Sequence, residues 1–255
     1  MEDYNISAGI VVYNNPQDAH KTVGSILENT QGQNFSLFVV DNASADKIGE
    51  GLKKAFPQPC YIILPENVGF GKGNNMVLDK LDSKYHFVIN PDILINANTI
   101  KNMCRFMDEN PDVAICCPKV LHPDGTVQYI AKRRPTLLSL VSRRINFGIF
   151  KKVEDAYLAK DKDQDVGFET EFCTGCFFVI RTEIFKKIGG FDPQYFLYFE
   201  DADITMEAKR YGKAFYNPDA TVVHFWHRAT AQSFKPFMQQ VKSMFIYFKK
   251  WGFKL

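Results

Sequence analysis

The feature that most constrains the fold of this chain is a regular alternation of short apolar runs and amphipathic segments over its first 92 residues. The apolar runs are rich in β-branched and aromatic residues, and the segments between them carry apolar residues at helical spacing. Because parallel strands need a crossover connection, usually a helix, this alternation predicts an α/β fold. We expect a mostly parallel sheet flanked by helices on both faces, with strands near 6–13, 36–41, 60–64 and 85–89.

Three of the apolar runs end directly on polar side chains. Asp41 ends one run, Asn90-Pro91-Asp92 ends a second and His224 ends a third. The proline cannot donate a ladder hydrogen bond, so the chain leaves the sheet there. In open α/β sheets, ligands bind at the carboxyl ends of the strands. If these strands are parallel, the three groups share one rim, and their recurrence predicts an enzyme.

Composition places the chain among ordinary soluble globular proteins. It has 255 residues, of which 45% are apolar and 24% charged. The formal net charge of +2 is too small to indicate binding to nucleic acid, so we expect no nucleic-acid partner. No apolar run approaches the ~20 residues of a membrane-spanning helix, and the acidic N-terminus lacks the layout of a signal peptide. We therefore expect a cytoplasmic location.

The cysteines favour packing over chemistry. Cys173 and Cys176 have the spacing of a redox or zinc motif, but no second such pair completes a site. Most of the six cysteines lie within apolar runs, where a free thiol behaves as a small hydrophobic side chain. We expect Cys173 and Cys176 in the core.

The regular alternation of strands and helices does not continue in the second half of the chain. Turn residues at 122–125 predict a hairpin near 118–130, residues 131–168 are interpreted as a variable insertion, and a strand is expected over 171–181. The last stretch, 236–255, is amphipathic, with aromatic residues and lysines near one helical face. Such a helix can lie in a membrane interface or pack on the core with its lysines in solvent, and both interpretations stay open.

A cluster of carboxylates is the strongest catalytic candidate. Glu200, Asp201 and Asp203 follow an aromatic run at 195–199. Low-dielectric aromatic surface raises the pKa of a carboxyl group, which suits a general base. Acidic residues also favour a helix N-terminus, but that accounts for one or two of the three and not for the aromatic residues before them.

Two further groups point to a phosphate-bearing ligand. Asp92 and His224, at separate strand ends, can hold Mg²⁺ or Mn²⁺ only if a diphosphate supplies further oxygens, and His227 is an alternative to His224. The glycine- and asparagine-rich loop at 66–75 matches neither a P-loop nor a dinucleotide fingerprint. Its amides can still line a polar pocket, and Asp41 suits the N3 imide of uracil or thymine.

Seven motifs then carry a family resemblance in their order along the chain: Val11-Val12-Tyr13-Asn14, Val40-Asp41-Asn42-Ala43-Ser44, Asn67-Val68-Gly69-Phe70-Gly71-Lys72-Gly73-Asn74-Asn75, Asn90-Pro91-Asp92, Gly190-Phe191-Asp192, Phe199-Glu200-Asp201-Ala202-Asp203 and Val223-His224. They resemble those of family 2 glycosyltransferases, which are inverting enzymes with the GT-A fold. The similarity runs from about residue 5 to about residue 235 and is weakest at 131–168. It is greatest to bacterial rhamnosyltransferases that extend lipid-linked GlcNAc in O-antigen or cell-wall polysaccharide assembly.

The resemblance implies a role for each matching position. Asp201 is the expected catalytic base, with Glu200 orienting the acceptor, and Asp92 and His224 are the expected ligands of a divalent metal. The remaining acceptor candidates are Arg133, Tyr198 and Asp203. The expected nucleotide-sugar contacts are Tyr13, Asn14, Asp41, Asn67, Gly69, Gly71, Asn74, Asn90 and Asp92. Asp41, Asp92, Asp201 and His224 should then converge around one cavity. One departure is Asn90, which replaces the first aspartate of the family's DxD motif and leaves metal dependence open.

The resemblance also implies substrates and domain organisation. The expected reaction moves L-rhamnose from dTDP-rhamnose onto a lipid-diphosphate-linked GlcNAc acceptor at the inner face of the cell membrane. Another UDP- or dTDP-sugar, a nucleotidyltransferase and a catalytically decayed sugar-nucleotide-binding scaffold are the alternatives. Residues 1–232 would form the glycosyltransferase domain, with 131–168 as an acceptor-side insertion. Residues 233–255 would form a basic helix in peripheral membrane contact. A homodimer is left open.

Overall fold

A computed structural model describes residues 4–45, 47–142, 148–226 and 234–253. The strands are β1 (Ile6–Val12), β2 (Phe35–Asp41), β3 (Cys60–Ile63), β4 (Tyr85–Ile89), β5 (Ile93–Ile95), β6 (Val113–Leu121), β7 (Val127–Gln128), β8 (Ala131–Lys132), β9 (Phe168–Glu169), β10 (Phe172–Cys173), β11 (Phe177–Arg181) and β12 (Lys213–His224). The helices are α1 (Pro16–Asn29), α2 (Ile48–Ala55), α3 (Phe70–Asn75), α4 (Thr99–Glu109), α5 (Leu137–Ser142), α6 (Gly148–Tyr157), α7 (Thr182–Lys187), α8 (Glu200–Ala208) and α9 (Phe234–Trp251).

The described strands form a ten-stranded sheet and a separate two-stranded ribbon. The main path runs β3-β2-β1-β4-β11-β6-β12-β5, with β7 beside β6 and β9 beside β12, and the ribbon pairs β10 with β8. The first four strands along this path are mutually parallel, as the alternation predicted. β11 runs antiparallel between β4 and β6, and β12 is parallel to β6. The sheet is therefore mixed but mostly parallel, with helices flanking it.

Local sequence signals account for several element ends. α1 begins with Pro16 at its first position, where a missing N–H costs nothing, and Asn15 is its N-cap. The predicted hairpin forms between β6 and β7, with Val120 opposite Gln128. The strand expected over 171–181 is instead broken into β10 and β11, and the break lies beside the candidate site.

The core consists of two apolar clusters. The larger one fills the space between the sheet and its helices and includes Cys173 and Cys176, so the prediction that these thiols pack in the core is confirmed. The smaller one joins α8 and α9 to the segment before β11, and its buried members are Tyr157, Phe172, Tyr195, Phe199, Ala202, Tyr247 and Phe248.

The C-terminal helix packs on the core, and contact with a membrane stays a prediction. Tyr247 and Phe248 are almost completely buried, so one face of α9 packs on the core. Met238 and Phe245 of α9 are 48% and 58% exposed, and Phe253, beyond the end of the helix, is 63% exposed and stacks on Phe248. Across the described ranges, no helix combines the length and apolarity that crossing a bilayer requires.

Candidate active site

The sheet registers bring the polar strand ends to one edge. Val12 pairs with Asp41 at the ends of β1 and β2, and β4, parallel to β1, ends at Ile89 just before Asp92. β6 is antiparallel to β11 and therefore has the direction of β4, and β12 follows it to end at His224. Since β11 is reversed, its start lies at this edge too. The groups that the sequence placed at strand ends share one rim.

Asp92 and His224 meet at this rim. Nε2 of His224 lies 3.2 Å from Oδ1 of Asp92, and both side chains are largely buried. Oδ1 of Asp92 is buried without a hydrogen-bond donor. The backbone fixes the pair, because β5 pairs with β12 and the Phe225 N–H donates to the Asp92 carbonyl at 3.0 Å. A carboxylate oxygen without a donor facing an imidazole nitrogen fits a divalent cation.

These two side chains do not complete a metal site by themselves. Within the ranges the structure describes, no group of three or more His, Cys, Asp or Glu side chains is arranged to hold a metal ion. His227, the alternative ligand considered from the sequence, lies outside those ranges. A cation bound by Asp92 and His224 would need further oxygens from a ligand or from water.

Glu200 and Asp201 are presented at the start of α8 by an unusual turn. Tyr198 and Phe199 both have positive φ values, 69° and 67°, a strained conformation for residues with side chains. Glu200 is 5% exposed, and its Oε2 has no hydrogen-bond partner. Burial, and then the neighbouring charge of Asp201, raises the pKa of Glu200 well above its usual range. Burial also raises the pKa of Asp201.

The loop at 174–176 connects the start of α8, which carries Asp201, to the end of β4, which precedes Asp92. The Gly175 N–H donates to Oδ2 of Asp201 at 3.0 Å, and the Asn90 N–H donates to the Cys176 carbonyl at 2.8 Å. A Cβ at Gly175 would lie 3.1 Å from Cβ of Asp201, so the close approach favours glycine. Asp201 and Asp92 therefore lie at the same edge of the sheet. The strand prediction for 171–181 missed this loop, and the signal that was available is a glycine inside a strand pattern.

A cavity of about 500 Å³ opens beside these groups. Glu200, Asp201 and His224 line one part of it, and Tyr198 also contributes to the lining. Most of the rest comes from the β6–β7 hairpin and the segment after it, including His122, Gln128, Tyr129, Lys132, Tyr157 and Lys160, and Trp226 contributes from beyond β12. The resemblance placed the insertion 131–168 on the acceptor side, but the sequence analysis singled out none of these residues, because nothing in their local pattern shows which side chains reach the cavity.

A second cavity, of about 270 Å³, lies at Asp41. Its lining includes Ser44, Lys47, Ile63 and Pro65. The Asp41 carboxylate accepts the Ser44 N–H at 2.9 Å and the Gly49 N–H at 2.8 Å. These amides hold Asp41 at the start of α2, and Asp41 and Asp201 line separate cavities where one shared cavity was expected. The two cavities nonetheless lie at the same edge of the sheet.

The glycine loop is ordered by the Asn67 side chain and packs closely against the turn before α8. Oδ1 of Asn67 accepts the Gly69 N–H at 2.9 Å and an amide hydrogen of Asn42, which orders the loop. Gly69 has φ of 89°, and a Cβ there would lie 2.2 Å from the Phe196 carbonyl oxygen. Glycine is therefore required where this loop meets the turn that precedes α8.

Gly71 and Asn74 were expected at the nucleotide, and the structure places both in the core. A Cβ at Gly71 would lie 2.9 Å from the Phe191 side chain. Asn74 is 1% exposed and donates to the Phe70 carbonyl at 3.0 Å. Residues three apart share a helix face, and α3 turns this face inward.

Three other nucleotide candidates keep access to the rim. Tyr13, directly after β1, is 49% exposed. Asn14 has φ of 52°, and its side-chain oxygen accepts the Ala45 N–H at 2.9 Å, which ties the end of β1 to the loop after β2. Asn90 is partly buried beside the 174–176 loop.

Arg133 and Asp203 were expected at the acceptor, and the structure directs both side chains elsewhere. The Arg133 guanidinium lies 2.6 Å from the Asp161 carboxylate and donates to the Ala156 carbonyl. Asp203 is 1% exposed and accepts hydrogen bonds from Trp251 at 2.7 Å and Lys250 at 2.9 Å. Asp201 and Asp203 are two positions apart, so they occupy nearly opposite faces of α8. Tyr198 does line the larger cavity.

A mostly parallel sheet with a polar carboxyl rim, a cavity at Asp41 and another at Asp201 is consistent with the GT-A fold of glycosyltransferases. The sequence model described as glycosyl transferase family 2 matches residues 7–189. The chain belongs to this family and is a glycosyltransferase. The matched segment includes Asp41 and Asp92 and ends before Glu200, Asp201 and His224.

Curated relatives are consistent with this membership. The chain is 26% identical over 215 residues to the N-acetylglucosaminyl-diphospho-decaprenol L-rhamnosyltransferase of Mycobacterium tuberculosis (strain ATCC 25618 / H37Rv), covering 76% of this chain and 67% of the relative. It is also 26% identical over 205 residues to the rhamnosyltransferase WbbL of Escherichia coli (strain K12), covering 70% and 69%.

Solved structures share the fold at low sequence identity. GalNAc-T7, crystallised with UDP, GalNAc and Mn²⁺, superposes with a TM-score of 0.66 at 14% identity, over 96% of this chain and 48% of that one. Residues 1–349 of S. aureus TarS give 0.60 at 18% identity, over 96% and 72%. These similarities establish the fold alone.

Proposed function

We propose that this chain is an inverting glycosyltransferase that uses Asp201 as its general base. The observation that carries the proposal is the position of this carboxylate. It lines the larger cavity with one oxygen held by the Gly175 N–H, at the same sheet edge as Asp92 and His224. A base held in place, with burial raising its pKa, suits removal of a proton from a sugar hydroxyl.

The two cavities suit the two ends of a nucleotide sugar. Such a donor has a base at one end, a sugar at the other and a diphosphate between them. In the proposal, the base and ribose bind at Asp41, Tyr13, Asn14 and the Asn67–Gly69 loop, and the sugar reaches the larger cavity. The diphosphate then lies between them, beside Asn90 and Asp92.

Asp92 and His224 are the residues that would hold a divalent cation next to the diphosphate. The fit rests on the donorless, buried oxygen of Asp92 and the imidazole nitrogen that faces it. When bound, Mg²⁺ or Mn²⁺ supplies positive charge against the phosphate oxygens. Asn90 cannot contribute a carboxylate, so the metal would have fewer anionic protein ligands than a complete DxD motif gives.

The proposed reaction is a single displacement. Asp201 removes the proton from an acceptor hydroxyl as that oxygen attacks the anomeric carbon of the donor sugar. The bond from this carbon to the diphosphate oxygen breaks, and the nucleoside diphosphate leaves with the bonding electrons. Attack from the opposite side inverts the configuration at the anomeric carbon. Glu200 lies next to the base and orients the acceptor.

The acceptor side of the cavity suits a sugar attached to a phosphate. Tyr129, Tyr198 and Trp226 supply apolar surface, and Lys132 and Lys160 supply positive charge. Lys160 is paired with Asp155 at 2.7 Å, so its charge is partly balanced. These two lysines replace Arg133 in the proposal as the cations nearest to the acceptor. Residue Gln240 of α9 lines the same cavity, which brings this helix near the acceptor in the proposal.

We infer L-rhamnose from dTDP-rhamnose as the donor sugar and a GlcNAc-diphospho-lipid as the acceptor. Both rhamnosyltransferase relatives support this donor sugar, and the mycobacterial one supports the acceptor class. A lipid-linked acceptor would bring the chain to the inner face of the cell membrane, with contact through 236–255.

The test is a transfer assay with the purified chain. dTDP-rhamnose, UDP- and GDP-sugars are each offered with a synthetic GlcNAc-diphospho-lipid, and nucleoside diphosphate and glycosylated lipid are measured. Transfer with formation of dTDP supports the proposal. Binding without turnover indicates a decayed scaffold, and pyrophosphate release indicates a nucleotidyltransferase.

The catalytic base is tested by Asp201→Asn. We expect turnover to fall by roughly a hundredfold or more, because general-base catalysis contributes about 10²–10⁴-fold. Donor affinity should change little, because Asp201 lies toward the acceptor. Asp79→Asn, an exposed aspartate in a turn after α3, is the matched control. Retained turnover in the Asp201 variant would reassign the base.

A further inference from the structure

The side-chain amide of Gln128 lies between two histidines beside the larger cavity. Gln128 is in β7 and is 7% exposed. Its Nε2 lies 2.8 Å from the His224 carbonyl oxygen and 3.0 Å from Nδ1 of His122. Its Oε1 lies 2.8 Å from Nδ1 of His224. Gln128 therefore contacts both the backbone and the ring of His224.

These contacts determine which ring nitrogen of His224 carries the proton. The His224 carbonyl oxygen can only accept, so the amide nitrogen of Gln128 must be the atom that faces it. The amide oxygen is then directed to Nδ1 of His224, and since this oxygen can also only accept, Nδ1 must carry the hydrogen. In the neutral ring, Nε2 is left with its lone pair.

That lone pair faces another electron-rich atom. Nε2 of His224 is 3.2 Å from Oδ1 of Asp92, and this oxygen is buried without a hydrogen-bond donor. In the other tautomer, an N–H on Nε2 would be directed toward Asp92 and would occupy the position of a cation. The Gln128 amide excludes that tautomer, because its oxygen requires the hydrogen on Nδ1.

We propose that Gln128 is a positioning residue that holds His224 in the Nδ1–H tautomer and so forms a divalent-cation site between Nε2 and Asp92. The proposal rests on the proposed function, since it names the residue that prepares the diphosphate end of the donor site. Hydrogen bonds from outside the coordination shell orient metal-binding histidines in this way and commonly change metal affinity by about 10–100-fold.

The test combines metal binding with a direct reading of the tautomer. Mn²⁺ is titrated into the full chain, alone and with dTDP, and free Mn²⁺ is followed by electron paramagnetic resonance. The protonated nitrogen of His224 is identified in metal-free protein at pH 8 by long-range ¹H–¹⁵N correlation, with His224→Ala to assign the signals. The variants are Gln128→Met, which removes every hydrogen bond of the amide, and Gln128→Glu, which keeps an acceptor for Nδ1–H.

We expect wild-type protein to show the proton on Nδ1 and to bind Mn²⁺. Gln128→Met should weaken Mn²⁺ binding about tenfold or more and lose the single tautomer, with its melting temperature showing that it remains folded. Gln128→Glu should weaken Mn²⁺ binding by less than tenfold, because the acceptor for Nδ1–H is kept although the donor to the His224 carbonyl is lost. A merely structural role would weaken both variants alike.

Four results would overturn the proposal: no Mn²⁺ binding by wild type, a proton on Nε2, unchanged Mn²⁺ affinity in Gln128→Met, or equal weakening in both variants. Failure of the proposed function is distinguishable from these. A chain that transfers no sugar from any donor would still report the His224 tautomer and its dependence on Gln128.

Discussion

At the scale of single residues, burial of the Glu200 carboxyl group is the clearest cost to the stability of the folded protein. Its carboxyl group is buried, one oxygen has no hydrogen-bond partner, and burial with the charge of Asp201 raises its pKa. A raised folded-state pKa means that the folded protein binds this proton more tightly than the unfolded chain. Stability is then fully present below the unfolded pKa, about 4.3 for glutamate, and is lost as pH rises toward the folded value.

We therefore expect Glu200→Gln to be more stable than wild type at pH 8, because the variant has no carboxyl group to ionise inside the protein. The difference should shrink toward zero near pH 4, where the glutamate is protonated in both states. Melting temperatures measured from pH 4 to pH 8 check this. Glu183→Gln, on α7, is the control and should show no such trend. A Glu200 variant less stable than wild type at pH 8 would show that the charged form is the favoured one.

The sequence predicts which residues lie near the site better than it predicts which way their side chains point. Asp41, Asp92 and His224 follow apolar runs, and the runs themselves show where the chain leaves the sheet. Asp201 and Asp203 belong to the same acidic motif, but they lie on different faces of α8. Asp201 lines the larger cavity and Asp203 is buried, and the sequence does not show which face of the helix points to the cavity. Asn74 was misplaced for the same reason, because no periodic pattern shows which face a six-residue helix buries.

At the scale of elements, α9 is attached to α8 by a polar cluster around the buried Asp203. Lys250 lies 2.9 Å from Asp203 and 3.1 Å from both Asp192 and Glu207, and the Trp251 indole N–H donates to Asp203. The Arg134 guanidinium donates to the Trp251 carbonyl at the end of the helix. Asp203 is almost completely buried, so its charge depends on these partners. The C-terminal helix thus holds the element that carries the candidate base.

Lys250→Met should lower the free energy of unfolding by about 3 kcal/mol, because it leaves the Asp203 carboxylate buried without its cation. Denaturant titration checks this value. The neighbouring Lys249 is exposed, and Lys249→Met should change the free energy of unfolding by no more than about 0.5 kcal/mol. Adding Asp203→Asn to the Lys250 variant should restore part of the loss. Equal effects of the two lysine substitutions would show that the cluster contributes nothing.

Elements that depend on neighbouring residues in the sequence could be predicted. Elements that depend on contacts with distant parts of the chain could not. The β-α alternation, the proline at the start of α1 and the turn at 122–125 each depend on neighbours in sequence. The break at 174–176 depends on Asp201, which approaches Gly175 from a distant helix. The part of the larger cavity formed by 127–132 and 154–160 depends on how the insertion folds back. Contacts between distant parts of the chain produce no periodic pattern of apolar residues, so the sequence does not show them.

At the scale of the whole molecule, we predict that the exposed face of α9 orients the chain on a lipid surface. Met238, Lys242, Phe245 and Lys249 follow one another at spacings of four, three and four residues, and all four are exposed. Residue Gln240 of the same helix lines the larger cavity. Apolar side chains with lysines beside them suit an anionic lipid surface, since the rings enter the interface and the ammonium groups meet the headgroups. An acceptor held in that surface would then lie across this helix from the cavity, because Gln240 and the exposed residues are on different faces of α9.

This orientation predicts binding to vesicles that contain phosphatidylglycerol and weaker binding in high salt, which screens the lysines. Phe245 is 58% exposed, so Phe245→Glu should leave the melting temperature almost unchanged while it removes an apolar anchor and adds a repelled charge. We expect vesicle affinity to fall about tenfold or more, since burying one phenylalanine side chain is worth about 1.5–3 kcal/mol. Val166→Glu, at an equally exposed apolar position outside α9, is the control in the same sedimentation assay and should bind like wild type. If both variants bind as wild type does, the lipid surface meets another face of the molecule, and the acceptor must leave the bilayer further to reach Asp201.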